Sequence, residues 1–237
     1  MPHTPDEWVR ALAALPLIEQ PGQFWRYGAD YSLRGVLLAR SSRQDLPQVL
    51  HERVLGPLGM HGTGFHADPS QAARLVDCLV WPGSGGPSVL DPAAGSAWLQ
   101  APSFPDGAGG LLGIVDDVLT FGRALLTADA GGGSARPWLS PTSIRAMTSE
   151  RVPAHQRTGG GNAGMVLDPD SWGFGVGVRT QDRQPARYGW AGGLGTFWYC
   201  FPEHDIVAVA VTQCVPPPMP VLDAFFNGLD QHLSASA

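Results

Sequence analysis

Thr196-Phe197-Trp198-Tyr199-Cys200-Phe201 and, beyond Pro202-Glu203-His204-Asp205, Ile206-Val207-Ala208-Val209-Ala210-Val211 are the runs on which the reading of this chain turns. The first is almost wholly aromatic and the second is apolar at every position. Neither leaves a face for solvent, so both read as strands covered on two sides. The proline and charged residues between them form a turn, which makes the pair an antiparallel hairpin. Upstream, Trp172 to Val178 alternates glycine with larger apolar residues and reads as a further strand. Downstream of Pro216-Pro217-Pro218, the residues Leu222, Phe225, Phe226, Leu229 and Leu233 recur at helical spacing. The C-terminal part therefore reads as a three-stranded antiparallel meander followed by an amphipathic helix.

The part before it is mainly helical. Thr4 is placed to cap a helix whose Pro5, Asp6 and Glu7 fill its first turn, and Leu33 to Arg40 continues the pattern. Asp45 caps a helix with Leu46, Val49, Leu50 and Val54 on one stripe, which Gly56-Pro57 is expected to end. Leu111 to Leu126 and Ser140-Pro141 to Met147 read as two more helices. Pro82 to Ser103 lacks periodicity and reads as a surface excursion, and Gly159-Gly160-Gly161 as a linker without the Gly-Lys-Ser/Thr of a phosphate loop. The expected class is α+β, with residues 1–165 as a mainly helical region and 166–237 as sheet strands plus a terminal helix.

The chain has 237 residues, a net charge of −6 and 43% hydrophobic residues, enough for a packed core. That charge argues against nucleic acid as a partner, since phosphate binding draws on clustered Lys and Arg. Cys78, Cys200 and Cys214 match no disulfide framework or Cys-x-x-Cys metal site and read as thiols. His51, His61 and His66 match no zinc spacing. Neither a metal nor an organic cofactor is implied. No run reaches transmembrane length and the N-terminal residues lack a signal-like pattern, so a cytoplasmic location away from membranes is expected.

Four further segments carry chemistry. Pro21-Gly22-x-x-Trp25-x-Tyr27-Gly28 is followed by Gly35. Glu52-Arg53-Val54-Leu55-Gly56-Pro57-Leu58-Gly59-Met60-His61-Gly62-Thr63-Gly64-Phe65 leads to Gly109-Gly110-Leu111 with Asp116-Asp117 and Phe121. Tyr188-Gly189-Trp190-Ala191-Gly192-Gly193-Leu194-Gly195-Thr196 precedes the hairpin. In this order they resemble the serine β-lactamase and penicillin-binding-protein-like hydrolases, especially the class C β-lactamases and family VIII esterases. The resemblance implies a β-lactamase/transpeptidase-like fold and hydrolysis of an ester, or of a β-lactam amide, through an acyl-serine.

By that resemblance Tyr27 is the base-side tyrosine, and Gly193 supplies one of two oxyanion N–H groups. Trp25, Trp190, Ala191 and Gly192 line the binding side, with Trp190 readable either as core or as pocket wall. Ala29 stands where an asparagine is common, and Trp190 where lysine or histidine is common, which favours an esterase over a β-lactamase. Asp116-Asp117 reads most simply as acids complementing a helix dipole.

The family's Ser-x-x-Lys nucleophile has no match. All 15 Lys+Arg positions are arginine, and no serine has arginine three residues on. A tyrosine with an ordinary pKa of about 10 becomes a useful base only beside positive charge, normally that lysine. The chain is therefore expected to correspond to the C-terminal portion of such a hydrolase: a truncated product, a split subunit or a degenerate pseudoenzyme, inactive alone. Expected partners are a small ester or acyl ligand and either a complementing N-terminal segment or another copy of the chain. The rival reading is a non-catalytic module that binds a ligand or partner through the Trp25/Tyr27/Trp190 cleft.

Overall fold

A computed structural model describes residues 4–81, 85–129, 138–157, 167, 171–181, 184–217 and 219–235. Helix α1 (Pro5–Ala13) opens on a reciprocal cap. The Thr4 hydroxyl accepts from the Glu7 N–H at 3.2 Å, and the Glu7 carboxylate accepts from the Thr4 N–H at 3.0 Å. Helix α2 (Asp30–Ser42) follows the Trp25-Tyr27 segment. Helix α3 (Leu46–Leu50) starts on the Asp45 carboxylate, which accepts from the Gln48 N–H at 2.8 Å.

Gly56-Pro57 does not end that helix. The backbone widens to π geometry over His51–Leu55 and runs on through a last turn, α4 (Gly56–Leu58), until Gly59 adopts φ 69°. Pro57 lies in the first residues of that turn, directly after the widened stretch. Helices α5 (Val115–Asp129), α6 (Pro141–Thr148) and α7 (Met219–Ala235) lie where the sequence periodicity predicts helices.

The main sheet has five antiparallel strands in chain order rather than the three expected. These are β3 (Ser171–Trp172), β4 (Gly177–Gln181), β5 (Gln184–Ala191), β6 (Thr196–Phe201) and β7 (Ile206–Val211). The run Trp172–Val178 is two strands, because Gly175 at φ 99° lets β3 fold back on β4 with Ser171 opposite Val178. Strand β5 carries Pro185, Arg187 and Gly189, which hide its strand character. Gly189 is required there, since a Cβ would run into the carbonyl oxygen of Trp198.

One face of this sheet presents Val178, Tyr188 and Cys200 to Leu125 and Leu126 of α5 and Ile144 of α6, all buried. Gly122 permits that closeness, because a Cβ on it would lie 2.5 Å from Val207 Cγ1. The opposite face meets α7, with the Tyr199 and Phe226 rings edge to face at 5.7 Å. Arg123 of α5 grips the β6–β7 turn, its guanidinium donating to the Asp205 carbonyl at 2.8 Å and to its carboxylate at 2.8 and 3.2 Å.

A second sheet has the order β2-β1-β8, formed by β1 (Cys78–Val80), β2 (Ser88–Asp91) and β8 (Cys214–Val215). Strand β8 runs parallel to β1, with Leu79 opposite Cys214. The stretch Pro82 to Ser103, read as a surface excursion, thus contains a strand and the short helical turn Ala97–Leu99. Gly159-Gly160-Gly161 lies outside the described residues.

Candidate active site

Tyr27 sits in the bend that leads into α2, and several bonds hold that bend. The Trp25 N–H donates to the Gln156 carbonyl at 2.9 Å, and Gln156 Nε2 donates back to the Gly22 carbonyl at 2.7 Å. Arg26 makes a two-pronged pair with Glu19 at 2.7 and 2.8 Å. That bonding holds the Glu19 carboxyl below its ordinary pKa.

Around Tyr27 an aromatic cluster is built on Trp172, which is buried at the end of β3. Its ring lies 5.4 Å from Trp25, 5.6 Å from Tyr27 and 4.4 Å from Trp190, edge-on to the last two. Both interior indoles have their N–H satisfied. Trp172 Nε1 donates to the Tyr31 hydroxyl at 2.9 Å, and Trp190 Nε1 to the Tyr27 hydroxyl at 3.0 Å. Burial pushes the Tyr31 phenol above its ordinary pKa.

Ala191 ends β5 opposite Phe197, and the chain then reverses tightly. The Gly192 N–H donates to the Thr196 carbonyl at 2.7 Å, and the Gly195 N–H to the Gly192 carbonyl at 3.0 Å. Gly195 closes the turn at φ 84°. Gly193 occupies the first corner of that turn, exposed, with no atom within 4 Å of where a Cβ would stand.

Beside Tyr27 is a cleft of about 150 Å³, walled by Trp25, Tyr27, Tyr31, Trp172 and Phe174 and edged by Arg26, Asp30, Arg34 and Arg151. Of the residues singled out in the sequence, Trp25 and Tyr27 line it, whereas Trp190, Ala191, Gly192 and Gly193 do not. Trp190 stands behind Tyr27 and Trp172, touching both rings. Sequence reasoning missed Trp172, Tyr31, Phe174 and Arg151. The available signal was a tryptophan and a phenylalanine among glycines in a segment otherwise read as a plain strand.

Asp117 does more than face a helix dipole. Its buried carboxylate accepts from the Gly62 N–H at 2.8 Å and the Thr63 hydroxyl at 2.7 Å, pinning the Gly59-to-Thr63 loop to the start of α5. Gly64 and Leu112 then exchange backbone bonds at 3.1 and 2.8 Å. Among the described residues, no three His, Cys, Asp or Glu side chains converge as metal ligands. No described helix is long and apolar enough to cross a membrane.

Residues 1–232 match the Beta-lactamase family, and the chain belongs to it. It is 32% identical over 229 residues to Protein Rv1367c of Mycobacterium tuberculosis, covering 90% of this chain and 54% of that protein. Esterase EstB of Burkholderia gladioli is 28% identical over 215 residues, covering 82% of this chain and 50% of the esterase. Among solved structures, EstCE1, a hydrolase with promiscuous acyltransferase activity, superposes with a TM-score of 0.69 at 26% identity, covering 90% of this chain and 57% of that one. The fold is thus that of the β-lactamase-like hydrolases and acyltransferases, and the chain spans about half the length of the curated relatives it matches.

Proposed function

We propose that this chain furnishes the tyrosine side and the glycine-turn side of an ester-hydrolysing or acyl-transferring site. The serine and its lysine would come from a Ser-x-x-Lys segment that its sequence does not contain. The observation that carries the reading is the bond from Trp190 Nε1 to the Tyr27 hydroxyl. It joins the two family motifs, distant in sequence, at one cluster beside a cleft with aromatic walls.

In this reading Tyr27 exchanges a proton with the serine hydroxyl and then with the leaving group. The Gly193 N–H and the serine's own N–H stabilise the oxyanion. The ligand is a small ester or acyl compound. With no Ser-x-x-Lys serine in this sequence there is no nucleophile for Tyr27 to serve, so the chain alone does not turn over acyl substrates.

Assaying p-nitrophenyl esters and a chromogenic cephalosporin, with Tyr27→Phe beside the parent chain, tests this. Background rates are expected for both. Restoring a Ser-x-x-Lys segment from the upstream coding sequence should give fluorophosphonate labelling of its serine, weakened by Tyr27→Phe. Turnover by the chain alone, lost in Tyr27→Phe, would overturn the dependence on a second segment.

The aromatic cleft also supports a second reading, a non-catalytic module that binds an acyl ligand. Ligand-induced stabilisation with no labelling after the segment is restored would favour it.

A further inference from the structure

We infer that the cleft beside Tyr27 selects ligands carrying a carboxylate on a phenyl-sized apolar body, with Arg151 as the partner of the anion. Three guanidinium groups edge the cleft, those of Arg26, Arg34 and Arg151. Arg26 is taken up by Glu19 at 2.7 Å, and Arg34 by Asp30 at 3.3 Å while lying 4.8 Å over the Tyr31 ring.

Arg151 differs. Its Nε donates to the Ala146 carbonyl at 3.0 Å and its guanidinium carbon stands 5.1 Å from the Phe174 ring centre, so the side chain is held in place. Among the described residues no carboxylate pairs with it, and its neighbour Glu150 is bonded to Arg157 instead. Among the described residues, the cleft is left with one positive charge that is positioned but not neutralised.

Shape supplies the rest of the specificity. The volume of about 150 Å³ is of the size that holds a benzene ring. The Trp172 N–H is committed to Tyr31, so Trp172 offers its ring face, beside those of Trp25 and Phe174, as apolar wall. A planar, fixed guanidinium at the mouth then favours a carboxylate over a neutral group of the same shape. The identification of such a ligand as the acyl part of a substrate rests on the function proposed above, whereas its binding does not require catalysis.

The test is titration of the chain with 3-phenylpropionate and with 3-phenylpropanamide, followed by tryptophan emission, at low and at high salt. The acid should bind about tenfold more tightly than the amide, the scale of one hydrogen bond to a charged group. That preference should shrink with salt, vanish in Arg151→Gln and persist in part in Arg151→Lys. Equal affinity for the two probes overturns the inference and leaves the proposed acyl-transfer role to its own labelling experiment. So does a preference that survives in a natively melting Arg151→Gln. If Arg151→Gln fails to fold, the salt dependence of the parent chain and the Arg151→Lys variant decide, and a salt-insensitive preference overturns it. Binding of neither probe overturns it as well.

Discussion

The indole N–H of Trp190 donates to the hydroxyl oxygen of Tyr27 across 3.0 Å, tying together residues 163 positions apart. Because that oxygen already accepts from one side, the phenolic proton is left to point elsewhere. Trp190→Phe removes the donor together with part of the indole ring. Tyr27→Phe should cost about 0.5–1.5 kcal/mol and Trp190→Phe more, and the double variant should cost less than their sum. Urea unfolding of the single and double variants measures the coupling, and strict additivity would show that the bond contributes nothing.

Trp172 is the centre of the same cluster, buried, with Trp25, Tyr27 and Trp190 around it and its N–H on Tyr31. Trp172→Ala should lower stability by about 3–5 kcal/mol. Trp172→Phe should cost less but leave the Tyr31 hydroxyl without this donor. Chemical denaturation monitored by circular dichroism gives both values.

Asp117 and Asp116 stand side by side at the start of α5, yet only Asp117 bonds to Gly62 and Thr63. Asp117→Ala should cost about 1–3 kcal/mol, since two donors lose their acceptor. Asp116→Ala should stay within about 0.5 kcal/mol. Equal costs would mean that the helix dipole, and not the loop attachment, explains these acids.

Cys200 is buried against Gly122 and Val207, and burial pushes its thiol up to about 12. In the unfolded chain the thiol ionises at a lower pH, so between the two values the unfolded state binds fewer protons. Stability therefore falls as pH rises through that window. The folded chain should resist alkylation at Cys200 at pH about 8. Cys200→Ala should lessen the alkaline loss of melting temperature, and an unchanged alkaline slope would assign that loss to other groups.

Strand β7 is the last in its sheet, paired among the described strands only with β6, and Val211 at its end is 52% exposed. Such an edge invites a further strand, from a complementing segment or from a second copy. Size exclusion with light scattering should show association of the chain, reduced by Val211→Lys with little change in melting. Association indifferent to that substitution would place the contact on another surface.

The hairpin of β6 and β7 was legible because its two runs are apolar throughout, and the helices because their caps and stripes are local signals. Strand β5 was not legible. Its Gly189 answers to the Trp198 carbonyl on the neighbouring strand, a constraint that only the folded chain supplies. The pairing of β1 with β8 likewise joins Leu79 to Cys214, too distant for any local pattern to announce. At the candidate site, Tyr27, Trp25 and Trp190 carry motif neighbours in sequence and so could be named. Trp172 and Arg151 carry none, and what marks them is where the fold brings them.

The parallel pairing of β1 with β8 has a bearing on how the chain withstands being cut. Leu125, Leu126 and Ile144 are sealed by Val178, Tyr188 and Cys200, and Trp25 and Tyr27 rest on Trp172 and Trp190. Everything up to Arg157 thus grips everything from Ser171 onward at three separate places. A protease nick between those points would sever the polypeptide without releasing either fragment, and the two pieces would travel as one particle until denaturant parted them.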